Sequence, residues 1–149
     1  MKNKNELEQR NVTSKIKLID KASGEKSSIG SGFQISSDGI IATNYHVISS
    51  YALHPKKYRI EYLDNQGNKG DLSLQSVDVI NDLALVRRAP QPNMPFFEIS
   101  NAAPKKGEKL YSLGNPHDLG MIVVPGTYNG LKKESFNEST INKTPKFFF

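Results

Sequence analysis

Two residues of this chain, His46 and Asp82, have the types and the spacing for acid–base chemistry. His46 lies in the run Thr-Asn-Tyr-His-Val at the predicted end of an apolar strand, and Asp82 stands 36 positions later, where another apolar strand begins. An imidazole titrates near neutral pH, so it can accept and return a proton, and a carboxylate beside it can orient the ring. A histidine followed by an aspartate at this distance, both on β-structure, matches the first two members of a catalytic triad in the order His, Asp, Ser.

The segment before His46 predicts a β-hairpin. Two apolar runs, residues 33–35 and 40–42, flank the polar turn Ser-Ser-Asp-Gly that ends at Gly39. An Asp-Gly pair tolerates the positive φ angles of a short turn, so a hairpin is expected over residues 30–41.

Apolar and alternating runs predict further strands at residues 12–19, 58–63, 72–79 and 83–86. Together with the hairpin they make about six short strands joined by Gly, Asn and Asp turns, which is typical of an antiparallel barrel and not of alternating βαβ units. The proline-rich residues 89–95 predict a linker, and two more strands are expected beyond it, at residues 109–113 and 121–128.

Four short motifs follow one another in a set order along the chain. They are Gly-Ser-Gly-Phe at 30–33, Asp-Gly at 38–39, Thr-Asn-Tyr-His-Val at 43–47 and Asp-Leu-Ala-Leu at 82–85. Together they resemble the bacterial trypsin-like serine peptidases, and most of all the HtrA/Deg branch. The similarity continues through residues 106–116 and spans residues 12–128 of the chain. Linked motifs in the right order are far more specific than any one of them alone.

The resemblance implies an all-β fold, a chymotrypsin-like double β-barrel with the first barrel complete and the second partial. The expected organisation is a flexible lead-in over residues 1–10, an N-terminal barrel over 11–88, an inter-barrel linker over 89–103 and an incomplete second barrel over 104–149. It also implies a short helical turn after the histidine, over residues 47–53. The apolar side chains expected to fill the first barrel are Ile16, Leu18, Phe33, Ile35, Ile41, Ile60, Val79, Leu83 and Leu85.

The same resemblance implies a role for each residue of the pair, with proteins or peptides as substrates. His46 would be the general base that takes a serine proton, and Asp82 would hold the ring in the right tautomer and stabilise the imidazolium. The plainer alternatives are a histidine that ends a strand and an aspartate that caps a turn. Asp78 is the competing carboxylate, and we expect it to face solvent.

The other two histidines give no sign of a second site. His54 precedes a proline and has no nearby ligand-type residue, and His117 lies in a predicted loop. No His-x-x-x-His spacing occurs, so neither a metal site nor a cofactor is predicted.

The sequence departs from the family at the nucleophile. The motif Gly-x-Ser-Gly-Gly-Pro is absent, and Ser135 and Ser139 lie in a polar stretch without the glycines that build an oxyanion hole. Because the chain ends on the three apolar residues 147–149, we expect it to be a shortened portion of a serine endopeptidase. Such a portion should be inactive alone and should self-associate or pair with its completing segment. The alternative is a catalytically inactive module that binds peptides or proteins.

Composition narrows the function classes. The net charge of +5 comes from 20 basic and 15 acidic residues, and its lysines are scattered and not clustered on one face, so nucleic acid is not a predicted partner. No apolar run approaches the ~20 residues that span a bilayer. The first ten residues show no signal peptide, so we expect a cytoplasmic protein, or an extracytoplasmic one if a signal was removed before this numbering.

Overall fold

The computed structural model describes residues 11–114 and 122–130. In chain order its elements are β1 (Thr13–Asp20), β2 (Lys26–Gln34), β3 (Ile40–Thr43), α1 (Tyr45–Leu53), β4 (Tyr58–Asp64), β5 (Lys69–Asp78), β6 (Leu83–Arg87), β7 (Lys109–Gly114) and β8 (Ile122–Thr127). Within these residues no helix is long and apolar enough to cross a membrane.

The first six strands form a closed barrel. Their order around it is β1-β2-β3-β6-β5-β4, and each pair of neighbours is antiparallel. Closure pairs β1 with β4 and so removes the open edges that a six-stranded sheet would otherwise have. The predicted all-β class is confirmed.

The barrel core consists of one set of alternating side chains from these strands together with one face of α1. Four residues predicted to be buried are confirmed: Ile16, Leu18, Ile41 and Ile60. They pack with Val47 and Ile48 of α1 and with Tyr62, Leu72, Ala84 and Val86. The helix therefore lies against the barrel core and is not a free surface turn.

The prediction of which side chains of β6 face the core was wrong. Directly opposed residues of an antiparallel pair share one face of the sheet, and Val86 lies opposite the buried Ile41. Ala84 and Val86 therefore point into the barrel, and the larger Leu83 and Leu85 point out. A strand that is apolar on both faces carries no alternation by which to choose between them.

The other predicted core residues, Phe33, Ile35 and Val79, also lie outside the barrel. Val79 is 60% exposed because β5 ends at Asp78, so that it falls in the following turn. The half-buried Phe33 and Ile35 join Leu83 and Leu85 on the outer face of β2, β3 and β6. There, Phe97 and Ile99 of the following segment complete an apolar hollow of about 460 Å³. We call this the outer hollow.

The predicted hairpin turn is present, and Gly39 is essential to its geometry. Its φ is +93°, and a Cβ built on it would lie 2.6 Å from the backbone oxygen of Arg88. The close approach is fixed by the hydrogen bond from Arg88 N to Gly39 O (3.0 Å), which ties the turn to the end of β6.

We expect Gly39→Ala to lower the free energy of unfolding by about 1–3 kcal/mol, because it combines backbone strain with a steric clash. Gly24→Ala is the matched control, since Gly24 also has a positive φ (+72°) but nothing lies within 4 Å of its Cβ position. Urea unfolding of both variants measures the difference. Equal losses would show that the contact with Arg88 is unimportant.

Strands β7 and β8 form a separate two-stranded sheet beyond the proline-rich segment. Phe97 N donates to Gln34 O (2.9 Å), which holds the segment between the two sheets against the barrel. Much of the predicted second barrel, together with His117, Ser135, Ser139 and residues 147–149, lies outside the described residues.

Candidate active site

His46 and Asp82 come together where the N-terminus of α1 meets the start of β6. The structure places His46 in the first turn of α1, whereas the sequence predicted a strand end for it. Asp82 immediately precedes β6. The hydrogen bond from Tyr45 N to Asp82 O (3.1 Å) joins the two segments through their backbones.

The carboxylate of Asp82 contacts His46 twice. Its Oδ2 lies 2.7 Å from His46 Nδ1, and its Oδ1 accepts the backbone N–H of His46 (2.8 Å). The first four N–H groups of a helix have no partner within the helix, so this carboxylate also caps α1 from the turn that precedes β6. The predicted hydrogen bond between the two side chains is therefore present.

The two side chains differ in exposure. The imidazole of His46 is 64% exposed, whereas the side chain of Asp82 is only 21% exposed. An ionised carboxylate only accepts hydrogen bonds, so in the neutral ring this contact places the proton on Nδ1 and the lone pair on Nε2. Nε2 lies on the opposite side of the ring from Nδ1. The arrangement thus presents an oriented and accessible proton acceptor.

A third residue, Asn44, completes the contacts of Asp82. Its Nδ2 donates to Asp82 O (3.0 Å) and to Asp82 Oδ2 (3.3 Å). Asn44 is 0% exposed and occupies the position just before α1. The sequence did not single it out, because an asparagine just before a helix is normally explained by capping.

Asp82 has a left-handed backbone conformation, with φ +55°. Such a conformation is uncommon for a residue other than glycine, although aspartate tolerates it better than most. The turn is stabilised on its N-terminal side by Asp78, which accepts from Asn81 N (3.0 Å) and Asn81 Nδ2 (2.7 Å). Asp78 is exposed, as predicted, and organises the turn that delivers Asp82.

The turn should depend on the ionisation of Asp78. The side-chain hydrogen bond from Asn81, followed by that from the Asn81 backbone, lowers the pKa of Asp78 below its usual 3.8. A carboxyl with a lowered folded-state pKa stabilises the fold above its ordinary pKa, and the contribution is lost as the pH falls through the folded-state value. We therefore expect the Asn81 side-chain amide signals to be constant near neutral pH and to move on acidification with a midpoint below pH 3.8.

NMR titration of the Asn81 amide in the wild-type chain and in Asp78→Ala measures this effect. The variant lacks the carboxylate, so its Asn81 signals should already have the acidic position near neutral pH. An unchanged Asn81 spectrum in Asp78→Ala would contradict the assigned role of Asp78.

The remaining described histidine is not part of this site. His54 follows the last residue of α1, whereas His46 lies in the first turn of the same helix. Across residues 11–114 and 122–130, no group of three or more His, Cys, Asp or Glu side chains could hold a metal ion.

Comparison with known proteins identifies the family. The model of the trypsin-like peptidase domain matches residues 30–146, so the chain belongs to the trypsin-like peptidases. The closed all-β barrel fits the chymotrypsin-like fold predicted for it.

Among curated proteins, the chain is similar to HtrA-type serine proteases, of which two follow. It is 28% identical over 108 residues to serine protease HTRA3 of Homo sapiens, an alignment covering 72% of this chain and 24% of that protein. It is 32% identical over 121 residues to serine protease HTR4 of Rattus norvegicus, covering 78% of this chain and 24% of that protein. The matched chain thus spans about a quarter of the length of these relatives.

A solved structure gives the same result. The chain matches the serine endoprotease from Yersinia pestis with a TM-score of 0.70 and 25% sequence identity, covering 83% of this chain and 42% of that one. The resemblance to the HtrA branch inferred from the sequence motifs is confirmed by these similarities.

Proposed function

We propose that this chain supplies the general base and the orienting carboxylate of a serine endopeptidase that acts on protein or peptide substrates. The observation that carries the proposal is the contact of 2.7 Å between His46 Nδ1 and Asp82 Oδ2. The rest of the His46 imidazole is largely exposed. Membership of the trypsin-like peptidases supports it.

His46 and Asp82 could together perform each proton transfer that such a reaction requires. Nε2 of His46 would take the proton of a serine hydroxyl as the serine oxygen bonds to the scissile carbonyl carbon. The imidazolium formed would be stabilised by the Asp82 carboxylate and would give its proton to the leaving amine as the carbon–nitrogen bond breaks. A water molecule would then release the acyl group. His46 would take a proton from the water as its oxygen bonds to the acyl carbon, and would return it to the serine oxygen as the ester bond breaks.

The nucleophilic serine would have to come from another polypeptide segment, because this sequence lacks the serine motif of the family. No Gly-x-Ser-Gly-Gly-Pro is present in the chain, and the glycines of that motif are needed for an oxyanion hole. The outer hollow is apolar, and Leu110, Tyr111, Ile122 and Val124 on β7 and β8 are exposed. These surfaces support pairing with a completing segment, or self-association of the chain when that segment is missing.

A catalytically inactive module that binds peptides or proteins is the second candidate, and the absence of the serine motif favours it. The coding sequence after codon 149 separates the two. A Gly-x-Ser-Gly-Gly-Pro motif within a few dozen codons would support the peptidase, whereas an immediate stop codon would support the binding module.

A further inference from the structure

Asn44 occupies a helix-capping position without capping the helix. Asparagine is favoured just before a helix because its side-chain oxygen can accept a backbone N–H of the first turn. The side chain of Asn44 makes no such bond to α1, although it is fully buried. A buried amide placed here therefore requires another explanation.

The explanation lies in the two bonds that Asn44 donates to Asp82. One amide group reaches both the backbone oxygen of Asp82 (3.0 Å) and its Oδ2 (3.3 Å). That Oδ2 is also the atom that contacts His46 Nδ1 at 2.7 Å. Asn44 thus holds the main chain and the side chain of the same aspartate at once.

The backbone contact alone does not need Asn44. Asp82 O also accepts from Tyr45 N (3.1 Å), so the two segments would stay joined without the amide. The bond to Oδ2 has a separate effect, because together with the bond from His46 N to Oδ1 it opposes rotation of the carboxylate about its Cβ–Cγ bond. A fixed carboxylate keeps one oxygen on the ring nitrogen.

We propose that Asn44 is a positioning residue, which holds the Asp82 carboxylate so that the proton of the neutral His46 ring stays on Nδ1 and the lone pair on Nε2. Its catalytic meaning rests on the function proposed above, but the geometric effect does not. It can be measured in the 149-residue chain without any activity.

Asn44→Ser is the informative variant. Serine is as good an N-cap residue as asparagine, so a capping role would survive the change, whereas the bond to Asp82 Oδ2 would be lost. Spectra of ¹⁵N-histidine, recorded at a pH where the ring is neutral, report the tautomer of His46. We expect the ratio of the Nδ1–H to the Nε2–H form to fall by up to about tenfold, because a carboxylate that is free to turn weakens the contact with Nδ1 by up to the worth of one hydrogen bond.

Thr43→Val is the matched control. Thr43 is adjacent and fully buried, and its hydroxyl donates to Ser31 O (2.8 Å) and not to Asp82. The control should lose stability and keep the wild-type tautomer ratio. An unchanged ratio in Asn44→Ser, or an equal fall in Thr43→Val, would overturn the proposal.

A measurement on chains that keep Asn44 covers the case in which Asn44→Ser does not fold. The side-chain amide signals of Asn44 should move when His46 is titrated, and Asp82→Ala should abolish that response. Asn44 amide signals that stay constant while His46 is titrated would refute the proposal. A chain with the expected tautomer but no peptidase activity in any combination would instead refute the proposed function and leave the positioning role intact.

Discussion

The 149-residue chain on its own is expected to hydrolyse no peptide bond by a serine mechanism. A base and its orienting carboxylate cannot form an acyl-enzyme without a nucleophile, and the backbone amides that stabilise the oxyanion belong to the same missing motif. Because the nucleophile and the oxyanion-stabilising amides are both needed, we expect the rate of casein hydrolysis by the chain to equal that of its His46→Ala variant. A fluorophosphonate probe should label neither Ser135 nor Ser139.

Adding the nucleophile should restore the reaction. The chain would be mixed with the polypeptide encoded after residue 149, if that sequence contains Gly-x-Ser-Gly-Gly-Pro, and assayed again with both reagents. We expect labelling of the added serine only in the mixture, and none when His46→Ala replaces the wild-type chain. Labelling of Ser135 or Ser139 in the isolated chain would overturn the assignment of the pair to a triad that lacks its serine.

Most of the fold could be predicted from the sequence. Each predicted strand has a counterpart within a few residues of its predicted bounds, because the turns between them contain residues suited to reversal, as Gly39 shows with its φ of +93°. The contact between His46 and Asp82 was predictable for a different reason. A general base needs a neighbouring group to orient its ring, so a histidine and the aspartate that orients it must lie within hydrogen-bond reach.

The outer face of the barrel could not be predicted in the same way. Periodicity assigns a strand's buried face only when the other face is polar, and in β6 both faces carry apolar residues. Leu83 and Leu85 were therefore assigned to the core, although the smaller Ala84 and Val86 fill it. The outer hollow lined by Leu83 and Leu85 depends on tertiary packing, since Phe97 and Ile99 complete it from the segment that follows β6.

The contact between Asn44 and Asp82 could not be predicted for another reason. An asparagine before a helix is normally explained by capping, so the sequence offers no reason to look further. In the structure, the capping role has passed to Asp82, whose Oδ1 accepts the N–H of His46 (2.8 Å). The helix start, His46 and Asp82 thus depend on the same few hydrogen bonds.

Asp82→Asn should have the largest effect of any conservative change in the pair, lowering kcat by about 10⁴ in any complex or longer protein that supplies the serine. Three donors, His46 N–H, His46 Nδ1–H and the Asn44 amide, converge on the two carboxylate oxygens, and a carboxamide has only one oxygen. An NH₂ group facing Nδ1 would move the ring proton to Nε2, so His46 could no longer accept a proton from the serine. Steady-state kinetics with a peptide substrate measure the loss, and Asp71→Asn is the control, because Asp71 pairs with Arg59 on another part of the barrel. A loss in Asp82→Asn no larger than that in Asp71→Asn would show that Asp82 caps α1 without taking part in catalysis.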